Sequence, residues 1–226
     1  MPQDELREQK HAIQICGDDI LGISFESAFV CQSVAEQLRH AGGWLESVAG
    51  IDSVVVQFDA ATVSLEEARD CLNEQLSRIS TKVHSESQLI EVPVCYGNDF
   101  GPDFESVSET LGLSAEQLKS LHSAGEYCVE MLGFTPGFAY VGGLPAELSV
   151  PRLSKPRQRV EAGSIGIADG HTGLYALPGP GGWSLIGRTP MRLFDPTAEP
   201  PFLLSAGARV RFNAIDAETF RRLNEQ

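Results

Sequence analysis

The sequence predicts an α+β protein in two parts: a small N-terminal α/β-sandwich-like domain over residues 1–90, and a β-barrel domain over residues 91–226. Charge divides the chain, because the first 130 residues carry 7 Lys and Arg against 23 Asp and Glu, whereas the remainder carry 10 against 8. The hydrophobic spacing changes from mixed helix and strand to short strands after residue 126. Residues 131–190 hold 12 of the 22 glycines and 7 of the 13 prolines, which indicates turns of fixed conformation between strands.

The N-terminal elements follow a β-β-α-β-α-β order. Apolar helical spacing predicts the first helix at residues 28–40, ending at Gly42 and Gly43. Ser64 and Glu67 form a capping box at the start of the second helix. The strands are predicted at residues 11–16, 20–25, 53–58 and 89–95. This order predicts one sheet with two helices on one face.

The second domain begins with a strand and two short helices and then becomes all-β. The helices are predicted at residues 104–111 and 115–124, and a terminal helix follows the N-cap Asp216. Gly/Pro turns separate short strands, as in a closed or nearly closed barrel. Those strands are predicted at residues 127–132, 160–168, 174–177, 183–189, 191–194 and 208–212.

Composition and charge argue against several classes of partner and several cellular locations. A formal net charge of −14 argues against nucleic acid and against an anionic membrane surface. The N-terminus lacks the apolar stretch of a secretory signal, and no apolar run reaches the length of a membrane-spanning helix. Five scattered cysteines indicate reduced thiols and no zinc site. We therefore expect a cytoplasmic protein without a bound metal.

Familiar catalytic motifs are absent from the sequence. It contains no GxxxxGK[ST] phosphate loop, no GxGxxG before a helix, no GxSxG elbow and no HExxH pair. The sequence therefore does not predict a hydrolase with a complete active site on this chain.

The segment PRLSKPRQR is the strongest candidate for binding an anion. It places four cations, Arg152, Lys155, Arg157 and Arg159, in eight residues with two prolines, which hold the planar guanidinium groups at low entropic cost. Arg188 follows in IGRTP and could reach the same surface. A solvated loop is the alternative interpretation, because most charge runs are solvated. Both interpretations stay open from the residues alone.

His171 is the candidate acid–base residue, in a Gly-flanked turn beside Thr172 and Tyr175, which can hydrogen-bond a ligand. An exposed turn histidine without a catalytic role is the alternative. His122 is expected to end a helix, where a cation favours the helix dipole.

Four aromatic residues form either core or a partner interface: Phe134, Phe138, Tyr140 and Trp183. Phe134 and Phe138 lie in a Gly/Pro loop without strand periodicity, which favours exposure. Exposed apolar residues in a rigid loop are typical of a protein interface or a ligand pocket.

These segments carry a family resemblance. MLGFTPGFAYVGGLP, PRLSKPRQRVEAGSIGIADGHTGLYAL, PGGWSLIGRTPMRLFDP and LLSAGARVRF resemble the family of the 5-oxoprolinase B subunit, also known as allophanate hydrolase subunit 1 and as the sporulation-kinase inhibitor Kip family. The earlier segments VAGIDSVVVQFD, EVPVCYGNDFGPD and LHSAGEY fit as well, so the match spans residues 48–212. The resemblance implies that the second domain is a cyclophilin-like β-barrel.

The resemblance also implies a function and partners. It implies a non-autonomous subunit of an ATP-dependent 5-oxoprolinase, which converts 5-oxo-L-proline to L-glutamate, with ATP and magnesium at the level of the assembled complex. The implied partners are the larger subunit, designated C and of the allophanate hydrolase subunit 2 type, and a third one, designated A. Arg152, Arg157 and Arg188 match family motif positions and are the expected clamps on developing charge. The family often has glutamine where His171 stands.

Three other functions remain as alternatives. The first is a regulatory protein that binds and inhibits a sensor histidine kinase without turnover of its own. The second is a role in carboxylation or urea degradation, against which the chain lacks a biotin-attachment segment. The third is peptidyl-prolyl isomerase activity, which would rest on fold analogy.

Overall fold

A computed structural model describes residues 12–79 and 89–225. Contacts divide the chain into two compact units, residues 1–85 and 86–226. The first predicted strand starts at residue 11, which lies outside the described residues.

Unit 1 is a four-stranded antiparallel sheet in the order β1-β2-β4-β3, with two helices packed on one face. Alternating residues of β2 and β4 point into this core, among them Leu21, Ile23 and Val54, and they meet the apolar stripes of α1 and α2. The capping box between Ser64 and Glu67 is present at the start of α2. The elements are β1 (Ile13–Ile15), β2 (Ile20–Ser24), α1 (Ala28–Ala41), β3 (Glu46–Ala49), β4 (Ser53–Gln57) and α2 (Leu65–Arg78).

Unit 2 is a closed barrel of seven strands in the order β10-β7-β6-β13-β5-β12-β9, with a two-stranded ribbon, β11-β8, beside it. Its helices are α3 (Phe104–Leu111), α4 (Ala115–Ala124) and α5 (Ala217–Asn224). The strands are β5 (Leu89–Tyr96), β6 (Tyr127–Leu132), β7 (Ala139–Gly142), β8 (Arg157–Val160), β9 (Ser164–Ala168), β10 (His171–Leu174), β11 (Gly179–Gly181), β12 (Ser184–Arg188) and β13 (Arg209–Ala214). The predicted α+β class with a closed barrel is confirmed.

One strand was predicted in the wrong sheet. The strand expected at residues 89–95 to complete the N-terminal layer is β5, which pairs in parallel with β13 from the far end of the chain. The fourth strand of the N-terminal sheet is instead β3, where Val48 pairs with Val55. Local spacing carries no information about which distant strand supplies the hydrogen bonds.

Three strand predictions in the barrel need correction. Residues 160–168 are two strands, because Gly163 turns the chain at a φ of +81° between β8 and β9. The strand predicted at 174–177 lies earlier, as β10. Residues 191–194 form no ladder and contribute a single bridge between Phe194 and Phe202. β7 and β11 were not predicted, since their Gly-rich sequences read as turns.

Candidate functional site

The predicted cationic segment lies beside the barrel, before and within the ribbon. Arg152 and Lys155 lie in the exposed loop that leads into β8, and Arg157 is the first residue of β8. The backbone N–H of Leu153 donates to the Gly182 carbonyl at 2.7 Å, which ties this loop to the end of β11. The prolines and this bond hold the loop in place, as the sequence predicts.

Arg157 is bound within the chain by Asp103, a residue that sequence reasoning missed. The Nη2 of Arg157 donates to Asp103 Oδ1 at 2.5 Å, and 29% and 13% of the two side chains are exposed. Asp103 Oδ2 also accepts from the backbone N–H of Leu185 at 2.6 Å. The carboxylate therefore links the ribbon to barrel strand β12, and the predicted anion clamp at Arg157 already has an anion.

Arg152 takes part in two contacts at the protein surface. Its Nε donates to Asp169 Oδ2 at 2.9 Å, and its guanidinium lies 5.9 Å from the centre of the Trp183 ring. Arg159, two residues beyond Arg157, donates to Glu161 at 2.7 Å and is also exposed. This hydrogen bond lowers the pKa of the Glu161 carboxyl below its ordinary value. Each of these arginines thus has a local carboxylate partner.

Arg188 does not join the Arg152 surface. It is the last residue of β12, whereas Trp183 precedes the first, so the two positions are about 16 Å apart along the strand. The Nε of Arg188 donates to the Ala162 carbonyl at 2.9 Å. The Arg159 hydrogen bond and, to a smaller degree, the charge of Arg188 lower the pKa of Glu161, so Arg188 lies near the Arg159 end of the cationic segment and not beside Trp183.

The four predicted interface aromatics form one cluster, although most of it is buried. Phe138 is 2% exposed and packs edge-on against Tyr140, Tyr175 and Trp183 at ring distances of 4.8–5.7 Å. Trp183 is 6% exposed and Tyr140 is half-buried. Phe134, at 62% exposure, is the member that projects from the surface. The expectation that Phe138 and Trp183 form a partner interface is wrong, because they fill a core between the barrel wall and the ribbon.

Glycines in the barrel wall make room for this cluster. A Cβ at Gly173 of β10 would lie 2.7 Å from the Trp183 ring and 2.9 Å from the Phe138 ring. A Cβ at Gly181 would lie 2.4 Å from the Tyr175 hydroxyl. Burial raises the pKa of Tyr175, so this phenol stays neutral. Close approach of rings to backbone is the reason for several glycines in this segment.

His171 begins β10 after a two-residue hairpin turn, Asp169-Gly170, in which both residues have positive φ. Its Nδ1 lies 3.0 Å from the Asp169 carbonyl, and its Nε2 lies 3.1 Å from Glu130 Oε2. Both ring nitrogens therefore face oxygen atoms of the chain itself. This geometry gives the predicted catalytic histidine a role in holding the hairpin, with Glu130 as a partner that the sequence did not indicate.

Thr172 is buried in the barrel, contrary to expectation, and His122 lies in the last turn of α4, as predicted, but with its side chain buried against Thr172. His122 is fully buried, with Nδ1 2.7 Å from the Tyr96 hydroxyl and Nε2 3.2 Å from Thr172 Oγ1. Thr172 is fully buried too, and its hydroxyl donates to the Gly166 carbonyl at 3.2 Å. Thr172 therefore cannot contact a ligand at the surface.

His122 is neutral and cannot supply the cation expected at a helix end. Burial lowers its pKa to about 3. Since the Thr172 proton goes to Gly166, the bonding pattern assigns the His122 proton to Nε2, and Nδ1 accepts from Tyr96. The result is a neutral chain of hydrogen bonds from Tyr96 through His122 and Thr172 to Gly166.

The structure thus brings together Arg152, Tyr140, Tyr175 and Trp183, with Lys155 on the same loop. It separates Thr172 and Arg188 from them. The dipeptide Asp169-Gly170 is a hairpin signal that could have located Asp169, whereas nothing local marked Asp103. Across residues 12–79 and 89–225, no group of three His, Cys, Asp or Glu side chains is arranged to hold a metal ion. In the same residues, no helix is long and apolar enough to cross a membrane.

Comparison with known proteins decides the family. The carboxyltransferase domain family, subdomain C and D, matches residues 11–204. The 5-oxoprolinase B subunit of Bacillus subtilis is 39% identical over 194 residues, which is 81% of each chain. The protein of the same name from Escherichia coli O157:H7 is 40% identical over 185 residues, covering 79% of this chain and 82% of its own. The chain belongs to the family of the 5-oxoprolinase B subunit. This confirms the family that the sequence motifs predict.

Solved structures agree with this fold. The conserved uncharacterized protein PH0987 from Pyrococcus horikoshii is 39% identical, covers 92% of this chain and 99% of its own, and has a TM-score of 0.58. TTHA0988 is 34% identical with a TM-score of 0.75, and the match covers 88% of this chain but 40% of that one. The urea carboxylase of Kluyveromyces lactis, at 18% identity and a TM-score of 0.75, covers 94% of this chain and 22% of its own, and it shares the fold.

Proposed function

We propose that this chain is a non-autonomous subunit of an ATP-dependent 5-oxoprolinase, which opens the lactam of 5-oxo-L-proline to give L-glutamate. The observation that carries the proposal is the 37–40% identity to three proteins named as the B subunit of 5-oxoprolinase, over about 80% of both chains. Its partners are the larger subunit, of the allophanate hydrolase subunit 2 type, and the third subunit, designated A.

The geometry supports a shared site in preference to a complete one. A triphosphate needs several donors free to bind its oxygens. Arg157 donates to Asp103 and Arg188 to a backbone carbonyl, whereas Arg152 pairs with Asp169 at the exposed surface. The partners of Arg157 and Arg188 within the chain favour a nucleotide site that another subunit completes. ATP, with magnesium, binds on the assembled complex in this proposal.

Arg152 and Lys155 are the cations of this chain that are best placed to meet the substrate. Both side chains are exposed, and the loop that carries them is tied to the ribbon. The outward guanidinium of Arg152 lies over the Trp183 ring, which limits the conformations it can adopt. A cation held in a fixed position stabilises the carboxylate of 5-oxoproline, or the charge that develops on the lactam oxygen as the amide bond is opened. These residues act within a site that a second subunit completes.

The test compares two arginines in similar settings. Arg152 and Arg159 each form an exposed ion pair, at 2.9 and 2.7 Å, but Arg152 alone of the two lies over Trp183. In a mixture with the other subunits, Arg152→Ala is expected to lower ATP-dependent glutamate release from 5-oxoproline by about ten-fold to a hundred-fold. Arg159→Ala is the control and should keep the wild-type rate.

Two results would count against this proposal. Equal rates for the two variants would remove Arg152 from the site. Absence of glutamate release in every combination of subunits, together with tight binding to a sensor histidine kinase, would replace the enzyme role with a regulatory one.

A further inference from the structure

Phe134 lies in an unusual backbone conformation for a bulky residue. Its φ is +68°, and the backbone N–H of Thr135 donates to the Gly133 carbonyl at 2.8 Å across it. This is a γ-turn with positive φ at its centre, a strained form that is rare in proteins. An aromatic side chain at positive φ is an outlier for which glycine would be the unstrained choice.

The strained turn is held by the loop around it. The N–H of Gly133 donates to the Phe138 carbonyl at 3.1 Å, and the N–H of Phe138 donates to the Thr135 carbonyl at 3.0 Å. The Phe134 ring meets the buried Phe138 ring edge-on, with 5.7 Å between their centres. These contacts fix the direction of the Phe134 side chain before any partner arrives.

The ring nevertheless faces outward. Phe134 is 62% exposed, so burial of its own surface does not explain why a phenylalanine occupies this position. Phe202, at 36% exposure, adds a second apolar side chain beside this loop, since its ring would lie 3.3 Å from a Cβ at Gly137. We call Phe134 and Phe202 the Phe134 patch. A fixed, exposed aromatic with apolar neighbours is typical of an interface anchor.

The properties of the patch favour a protein as its occupant. The ring projects from a turn, whereas small molecules bind in concave pockets. A net charge of −14 disfavours an anionic lipid surface. In TTHA0988 the counterpart of this chain makes up 40% of a longer polypeptide, so the same fold is there joined covalently to a second, larger part.

We propose that Phe134 is the preorganised anchor by which this chain binds the larger subunit of the 5-oxoprolinase complex, its ring entering an apolar pocket on that subunit. This inference rests on the proposed function. The strain is offset by rigidity, because an anchor that is already ordered loses little conformational entropy on binding. The buried rings of Phe138 and Trp183 lie between Phe134 and the Arg152 guanidinium, so the anchor and the loop of Arg152 pack on the same aromatic cluster.

The test uses the opposite effects of Phe134→Gly on folding and on binding. Glycine relieves the positive φ, so the melting temperature of the isolated variant should equal or exceed that of the wild type. Its dissociation constant for the purified larger subunit should rise about ten-fold or more. Phe134→Leu keeps an apolar side chain and should weaken binding less than Phe134→Gly does. Leu45→Ala is the control, since Leu45 is 66% exposed in unit 1 and should leave binding unchanged.

Each other result overturns the proposal. If the wild type binds the larger subunit and Phe134→Gly binds equally well, the anchor is refuted while the proposed function stands. If Phe134→Gly assembles normally but turns over more slowly, Phe134 contacts substrate instead. If it changes self-association of this chain alone, the patch belongs to a homodimer. If the wild type does not bind the larger subunit, the proposed function and the anchor both fail.

Discussion

At the scale of single residues, the hydrogen-bond chain inside the barrel couples stability to pH. Tyr96, His122 and Thr172 each donate one proton to the next acceptor, so the buried chain is satisfied when His122 is neutral. Burial also raises the pKa of Tyr96, so its hydroxyl remains a donor. A second proton on His122 would place a charge in the apolar core without an acceptor for it.

We predict that the free energy of unfolding falls as pH decreases from about 6.5 towards 3. The unfolded histidine has an ordinary pKa of 6.5 and the native one a pKa of about 3, so between these values only the unfolded chain binds the proton. The loss is about 1.4 kcal/mol per pH unit for this group. Urea unfolding at pH 7.5 and pH 5 measures it.

The matched variants are His122→Leu and His40→Gln. His122→Leu removes this part of the pH dependence, although it lowers stability overall because the buried Tyr96 hydroxyl loses its acceptor. His40 is exposed, so His40→Gln should retain the wild-type slope. The same pH slope in His122→Leu as in the wild type would refute the assignment.

The Asp103–Arg157 ion pair is the second place where single side chains contribute to the stability of the fold. Asp103→Ala leaves the Leu185 N–H and the Arg157 guanidinium without their acceptor, and we expect it to lower the free energy of unfolding by about 1–3 kcal/mol. Glu161→Ala, which breaks the exposed pair with Arg159, should change it by less than about 1 kcal/mol. Chemical denaturation compares them, and similar losses would show that Asp103 does not link the ribbon to the barrel.

At the scale of elements, the segment that connects β5 to α3 packs against barrel strand β12 through a close backbone contact. A Cβ at Gly101 would lie 2.1 Å from the Ile186 carbonyl oxygen of β12, and that oxygen is fixed in the backbone. The N–H of Gly97 donates to the same carbonyl at 3.1 Å. The connection packs directly on the strand, with no side chain between them.

Gly101→Ala should therefore lower the free energy of unfolding by about 1–3 kcal/mol, because one of the two elements must shift. Gly179→Ala is the control within the same unit, since no atom lies within 4 Å of a Cβ at that position. Thermal unfolding of both variants measures the difference. A Gly101→Ala protein as stable as Gly179→Ala would contradict the observed packing.

Sequence patterns located elements well where periodicity or capping was local. The helices at residues 28–40 and 104–111 and the capping box at Ser64 were predicted close to their observed positions. β7 and β11 were missed because strand pairing, not strand propensity, orders their glycines, in the barrel for β7 and in the ribbon with β8 for β11. The parallel partnership of β5 and β13 joins residues more than a hundred positions apart, and no local pattern encodes it.

At the scale of the whole molecule, the family and the two-part architecture could be predicted, whereas the assembly of the site could not. Arg152, Tyr175 and Trp183 were identified from motifs and do lie together. Thr172 and His171 are adjacent in sequence, yet alternation along β10 sends Thr172 into the barrel. The ion pairs of the site could not be predicted, because the sequence does not show which carboxylate each arginine contacts.

In the function that we propose, this chain supplies a necessary part of a shared 5-oxoprolinase site. The most direct measurement is ATP-dependent glutamate release from 5-oxoproline by the partner subunits, with and without this chain. We expect release from the complete mixture and none when this chain, or the larger subunit, is left out. Equal release with and without this chain would contradict the claim.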